Sequence, residues 1–143
     1  MRASLLGVAL LTLAACSGDA SDNAQQAGEA ESADIEARAV RVGLSGPEMD
    51  ACAGFGVING APEEGQQIHT APSADAEEVA RLSDGADVVI CEISGGWIGI
   101  VFADEGGDTS TCETGSPVDA EQDYAGPCPS GWIRDGAVEF VAG

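Results

Sequence analysis

Few side chains in this sequence are equipped for chemistry, and their spacing decides what they can do. The single histidine, His69, could act as a base for a serine or cysteine nucleophile, with Asp75 or Asp84 orienting it. No Gly-x-Ser-x-Gly elbow occurs to present such a nucleophile, so His69 reads as a loop histidine. Counting carboxylates does not single out an acid–base pair for glycoside hydrolysis, because 25 acidic residues run through the whole chain. Asp104-Glu105-Gly106-Gly107-Asp108 offers several oxygens around a glycine turn, as Ca²⁺ ligation needs, but lacks the terminal glutamate of a full calcium loop. It reads as a solvated loop. The expectation is a protein without catalysis, metal or cofactor.

The cysteines have a different use. Five are present, and setting Cys16 aside leaves Cys52, Cys91, Cys112 and Cys128. An even set without any Cys-x-x-Cys pair, and without a histidine cluster, points to disulfides rather than zinc. Four cysteines allow three pairings; the preferred one joins Cys52 to Cys91 and Cys112 to Cys128. Closing the second loop is worth ~3 kcal/mol in the chain-entropy model.

Disulfides need an oxidising compartment, and the start of the chain supplies a route to one. Met1-Arg2 is a short positive end, and Leu5 to Leu13 is an apolar run too short to span a bilayer as a helix. It leads into Leu13-Ala14-Ala15-Cys16, which resembles the bacterial lipobox. That resemblance implies a signal peptide over residues 1–15, cleavage before Cys16, and lipid carried on Cys16. Ser17 follows where the enterobacterial type of sorting uses aspartate to retain a lipoprotein in the inner membrane. The implied location is the cell envelope, at the outer membrane and facing the periplasm.

Charge narrows the partners. The formal net charge is −20, with no lysine, and losing residues 1–15 removes only Arg2 among the charged side chains. Such a surface repels nucleic acid phosphate and anionic headgroups, so no nucleic acid is expected and the membrane is reached through the lipid alone. Residues 16–38 scatter Asp19, Asp22, Glu29, Glu31, Asp34 and Glu36 among alanine, serine and glutamine, with Ile35 the only large apolar residue. A segment of that composition does not bury enough surface to offset its ordering entropy, and reads as a disordered acidic tether.

The elements that would position any site begin near residue 39. Ala39-Val40-Arg41-Val42 alternates and suits a short strand, and Phe55-Gly56-Val57-Ile58 suits the first strand of the domain proper. A strand through Ile68 must end by Pro72, and Ala74 to Arg81 suits a helical turn, with Val79 and Leu82 pointing inward. The densest strand signal is Val88 to Phe102, two β-branched runs around Ser94-Gly95-Gly96. On its second run Trp97, Gly99 and Val101 share one face, and Ile98, Ile100 and Phe102 the other. Both faces are apolar or small, which predicts a hairpin covered on both sides, in a small barrel or sandwich. Residues 103–128 form a long polar insert held by Cys112 and Cys128, and residues 131–141 close the domain as a strand pair or a strand with a 3₁₀ turn.

Taken in order, residues 67–138 resemble the bacterial SH3-like domain. The matching pieces are Ile68-His69-Thr70-Ala71-Pro72, Leu82-Ser83-Asp84-Gly85, Val88 to Ile90, Gly95-Gly96-Trp97-Ile98 and Gly131-Trp132-Ile133. Asp50-Ala51-Cys52 and the cysteine-bearing insert also look like those of small exported SH3-like proteins of alphaproteobacteria. The resemblance implies an all-β domain over residues 39–143: a barrel of about five strands, stapled by the two disulfides, that binds cell-wall peptides or targets a protein. In the wider SH3 fold an aromatic groove lies near the tryptophan positions, which makes Trp97, Trp132 and Tyr124 the candidate ligand platform, with core packing as the alternative use of both indoles. His69 stands where the family usually has arginine, and the insert before Gly131 is far longer than usual and could cover the groove. The functional expectation is a lipid-tethered envelope module that recognises peptidoglycan peptides or an envelope protein. The rival is a structural or stress-related lipoprotein without a small ligand.

Overall fold

The structure is a computed structural model and describes residues 35–143. The signal segment, Cys16 and the tether as far as residue 34 lie outside the described residues. The described chain is all-β, with nine strands: β1 Arg41–Val42, β2 Gly54–Ile58, β3 Gln66–His69, β4 Glu78–Leu82, β5 Asp87–Ser94, β6 Trp97–Val101, β7 Gln122–Asp123, β8 Ser130–Arg134 and β9 Val138–Ala142. Seven of them form one antiparallel sheet in the order β4-β3-β8-β6-β5-β2-β9, and β1 pairs with β7 in a second, two-stranded layer.

This corrects the expected count of about five strands. The main sheet ends at β4 on one side and β9 on the other, so it is not a closed barrel. Of the segment expected to hold a helical turn, Ala74 to Arg81, the second half belongs to β4, whose backbone pairs with β3 from Gln66↔Leu82 to His69↔Glu78. Period two fits it better than 3.6: Leu82 is buried, Ala80 is half-buried and Arg81 is exposed. Val79 is exposed too, rather than inward, as an edge strand allows.

The hairpin at residues 87–101 forms where the strand signal is densest. Gly95 and Gly96 carry φ of +55° and +82°, the conformation a two-residue turn between twisted strands requires. The two apolar faces of β6 each find a cover. Ile98, Ile100 and Phe102 pack with Ile58, Ile68, Val88, Ile90 and Ile133 on what we call the aliphatic face. Trp97 and Val101 pack with Val89, Cys91 and Trp132 on the tryptophan face. The aliphatic face is made almost wholly by the sheet's own strands. The tryptophan face is covered by the short β1–β7 pair and the mostly irregular chain around it: Val40, Val42, Ala51 and Cys52 from the entry segment, and Cys112, Val118, Tyr124 and Cys128 from the insert.

Both disulfides bond as Cys52–Cys91 and Cys112–Cys128, the preferred pairing. The first ties the entry segment to the middle of β5, and the second closes the insert on itself. Gly131 allows β8 to lie close to β3, since a Cβ there would stand 2.5 Å from Ile68 Cγ2.

Candidate functional site

Each aromatic of the tryptophan face has its own set of contacts. Trp132, on the central strand β8, has no exposed surface. Its indole Nε1 donates to the Arg38 carbonyl at 2.7 Å, and the Arg38 guanidinium lies 4.6 Å from the ring centroid. The segment entering the domain is therefore clamped to this tryptophan by a hydrogen bond and a cation–π contact. Trp97 is 5% exposed; the Arg134 guanidinium lies 4.3 Å from its ring centroid and the His69 ring meets it edge-on at 5.5 Å.

Tyr124 belongs to the same cluster but is half-buried and acts on the insert. Its hydroxyl donates to the Cys112 carbonyl at 2.8 Å and accepts from the Cys128 N–H at 3.2 Å, which ties both ends of the disulfide loop together. Burial raises the phenol above its ordinary pKa; the Cys128 N–H opposes that shift and the nearby Glu113 adds to it. The structure thus brings the three candidate aromatics together while covering them. Trp132 offers no surface to a ligand and Trp97 almost none, so this face is packed rather than open.

Glu92 and Arg38, neither of them a candidate site residue from the sequence, hold the cover in place. Glu92 is buried on β5, 9% exposed, and its carboxylate forms an ion pair with Arg38 and accepts the Arg41 backbone N–H at 3.1 Å. The ladder between β5 and β6 shifts between Ile90 and Glu92, so Ile90 pairs with Ile100 but Glu92 with Gly99. That bulge turns Glu92 onto the same side as Cys91, under the entry segment. Gly99 leaves room for it: a Cβ there would stand 3.0 Å from Val40 Cγ1 and 3.3 Å from Glu92 Cβ. An acid inside an apolar strand was the available signal, but its partners lie more than 50 positions away in the chain.

The other chemical candidates are placed apart. His69 sits on β3 with Nδ1 3.0 Å from the Ala76 carbonyl, and the cysteines that could have served as nucleophiles are bonded to each other. Asp108 spends its carboxylate on the Ser110 N–H at 2.8 Å, which lowers its pKa. Among the described residues no three His, Cys, Asp or Glu side chains gather as a metal site.

The open surface lies elsewhere, where β2, β5 and β9 meet the loop after β1. An apolar groove of about 310 Å³ runs there between Leu44, Gly54, Ile90, Ile93 and Phe140. Leu44, Ile93 and Phe140 are 45%, 65% and 56% exposed. A second hollow, of about 480 Å³, is lined by Met49, Phe55 and Ala142 and shares Ala53 and Gly143 with the groove. No protein-family model matches the chain, and no curated protein or solved structure matches it either.

Proposed function

We propose that the protein is a non-catalytic binding module of the bacterial cell envelope, held by lipid on Cys16 at the outer membrane and facing the periplasm. On this reading its domain is a variant of the SH3-like fold with an added cover, and its partner is an envelope protein or a peptidoglycan peptide. The lipobox-like Leu13-Ala14-Ala15-Cys16 supports the anchor, and the five motif pieces in order support the fold family. Two disulfides agree with an exported protein.

One observation carries the binding role: the continuous apolar groove around Leu44, Ile93 and Phe140 on an otherwise strongly acidic molecule. Exposed contiguous apolar surface of this kind marks a contact site, and the sheet beneath it gives rigid support. The candidate contact surface therefore moves from Trp97, Trp132 and Tyr124 to this groove, with the tryptophan face as its scaffold.

The reading is tested by placing a photo-crosslinking side chain at Phe140, and as a control at Glu63, in the protein expressed from its full sequence in a bacterial envelope. Adducts with an envelope protein or peptidoglycan at Phe140 and not at Glu63 are the expected result. Equal labelling at both positions, or none at Phe140, would leave the structural lipoprotein as the better account. Mass spectrometry of the N-terminal peptide checks the anchor, with a lipid-modified Cys16 expected.

A further inference from the structure

The surface around the groove is selective in its hydrogen bonding and its charge. Among the described residues strand β9 pairs only with β2, which leaves the backbone donors and acceptors of its other edge without a strand partner there, and Glu139 to Ala142 are exposed along it. An edge with Phe140 and Val141 outward is a template for another strand. The groove lies beside it, so a strand added there would set its alternate side chains against Phe140 at the groove mouth.

Charge decides what such a strand must be. Glu48 and Asp50 line the second hollow and Glu139 lies on β9 itself. Among the described residues no basic side chain lines either hollow. Arg38, Arg41 and Arg81 are paired with Glu92, Glu121 and Glu78, and Arg134 is stacked on Trp97. A second copy of this chain would bring an identical acidic strip, with its own Glu48, Asp50 and Glu139, against this one, so self-pairing is disfavoured by the same charge that would attract a basic strand. We infer that the free edge of β9 and the groove beside it take an extended segment of a basic partner protein, apolar at alternate positions with arginine or lysine between them. This inference rests on the binding-module reading and names the partner of its groove.

The probe is a short fluorescent peptide alternating valine and arginine, titrated by anisotropy into the protein exported from its full sequence and purified with both disulfides formed. Binding should weaken as salt rises, fall about tenfold in Phe140→Ser or Ile93→Ser, and become less salt-sensitive in Glu48→Gln/Asp50→Asn. The same peptide N-methylated at the backbone amides of one edge should lose binding, and a valine–glutamate peptide should not bind. All the substituted positions are exposed or rim positions, and near-ultraviolet circular dichroism confirms that each variant is folded. Undiminished binding of the N-methylated peptide, equal binding of the acidic one, or indifference to Phe140→Ser would overturn the inference. A β9-dependent dimer in sedimentation would overturn the choice of a foreign occupant. If the basic peptide fails while crosslinking at Phe140 still yields envelope adducts, the inference falls and the binding-module reading stands.

Discussion

The two faces of the sheet solve the same problem by different means. On the aliphatic face, Ile58, Ile68, Ile98, Ile100 and Ile133 come from four strands and bury one another, so local pattern and packing coincide. On the tryptophan face the cover is mostly irregular chain with one two-residue strand pair, and it contributes only small or scattered apolar groups, among them Val40, Val42, Ala51 and Val118. Burial of so little surface offsets only part of the ordering entropy of a long polar insert. That face is therefore held by discrete ties: two disulfides, the Arg38–Glu92 ion pair, the Trp132–Arg38 hydrogen bond and the paired contacts of Tyr124. A face built by periodic packing tolerates the loss of one contact; a face built by ties should loosen tie by tie.

The largest effect should come from the covalent ties. Replacing Cys52 and Cys91 with alanine should cost about 4 kcal/mol, and replacing Cys112 and Cys128 about 3 kcal/mol, from the lengths of the loops they close. Denaturant titration measures both. The comparison adds a finer expectation: in the Cys112/Cys128 variant the near-ultraviolet signal of the tryptophans should weaken while the far-ultraviolet β signal persists. Loss of both signals together would show that the two faces are one cooperative unit.

Breaking the ion pair should come next. Arg38→Met leaves the buried Glu92 carboxylate with only the Arg41 N–H, and should cost about 1–2 kcal/mol, discounted because Arg38 is partly exposed. Glu92→Leu in the Arg38→Met background should recover part of that loss, and a double-mutant cycle reads the coupling.

The legibility of the two faces differed in the same way. The hairpin, its turn and the burial of both its sides could be read from Val88 to Phe102, because strand period and glycine turns are local signals. Strand β1 was readable for the same reason. β4 carries no clear strand signal, because its apolar residues are few and its conformation is set by pairing with β3. The cover was legible only through its cysteines. That Trp97 and Trp132 lie beneath it depends on contacts between residues far apart in sequence, and no local pattern encodes those. The open groove was missed because Leu44, Ile93 and Phe140 come from three separate segments.

The smallest effect concerns Tyr124. Tyr124→Phe removes two hydrogen bonds and should cost about 1 kcal/mol. Because burial raises the folded-state pKa of this phenol, its stabilising share is fully present below the ordinary tyrosine pKa and is lost as pH rises through the raised folded value. Wild-type stability should therefore fall more steeply than that of the phenylalanine variant above about pH 10.

The central proposal is binding through the groove and not through the tryptophans, and amide and indole NMR of the labelled protein during peptide titration tests it most directly. With the valine–arginine peptide, the account predicts shifts concentrated at Leu44, Ile93 and the β9 amides from Glu139 to Ala142, with the indole N–H signals of Trp97 and Trp132 unmoved. Shifts centred on the two indoles, with β9 silent, would contradict it.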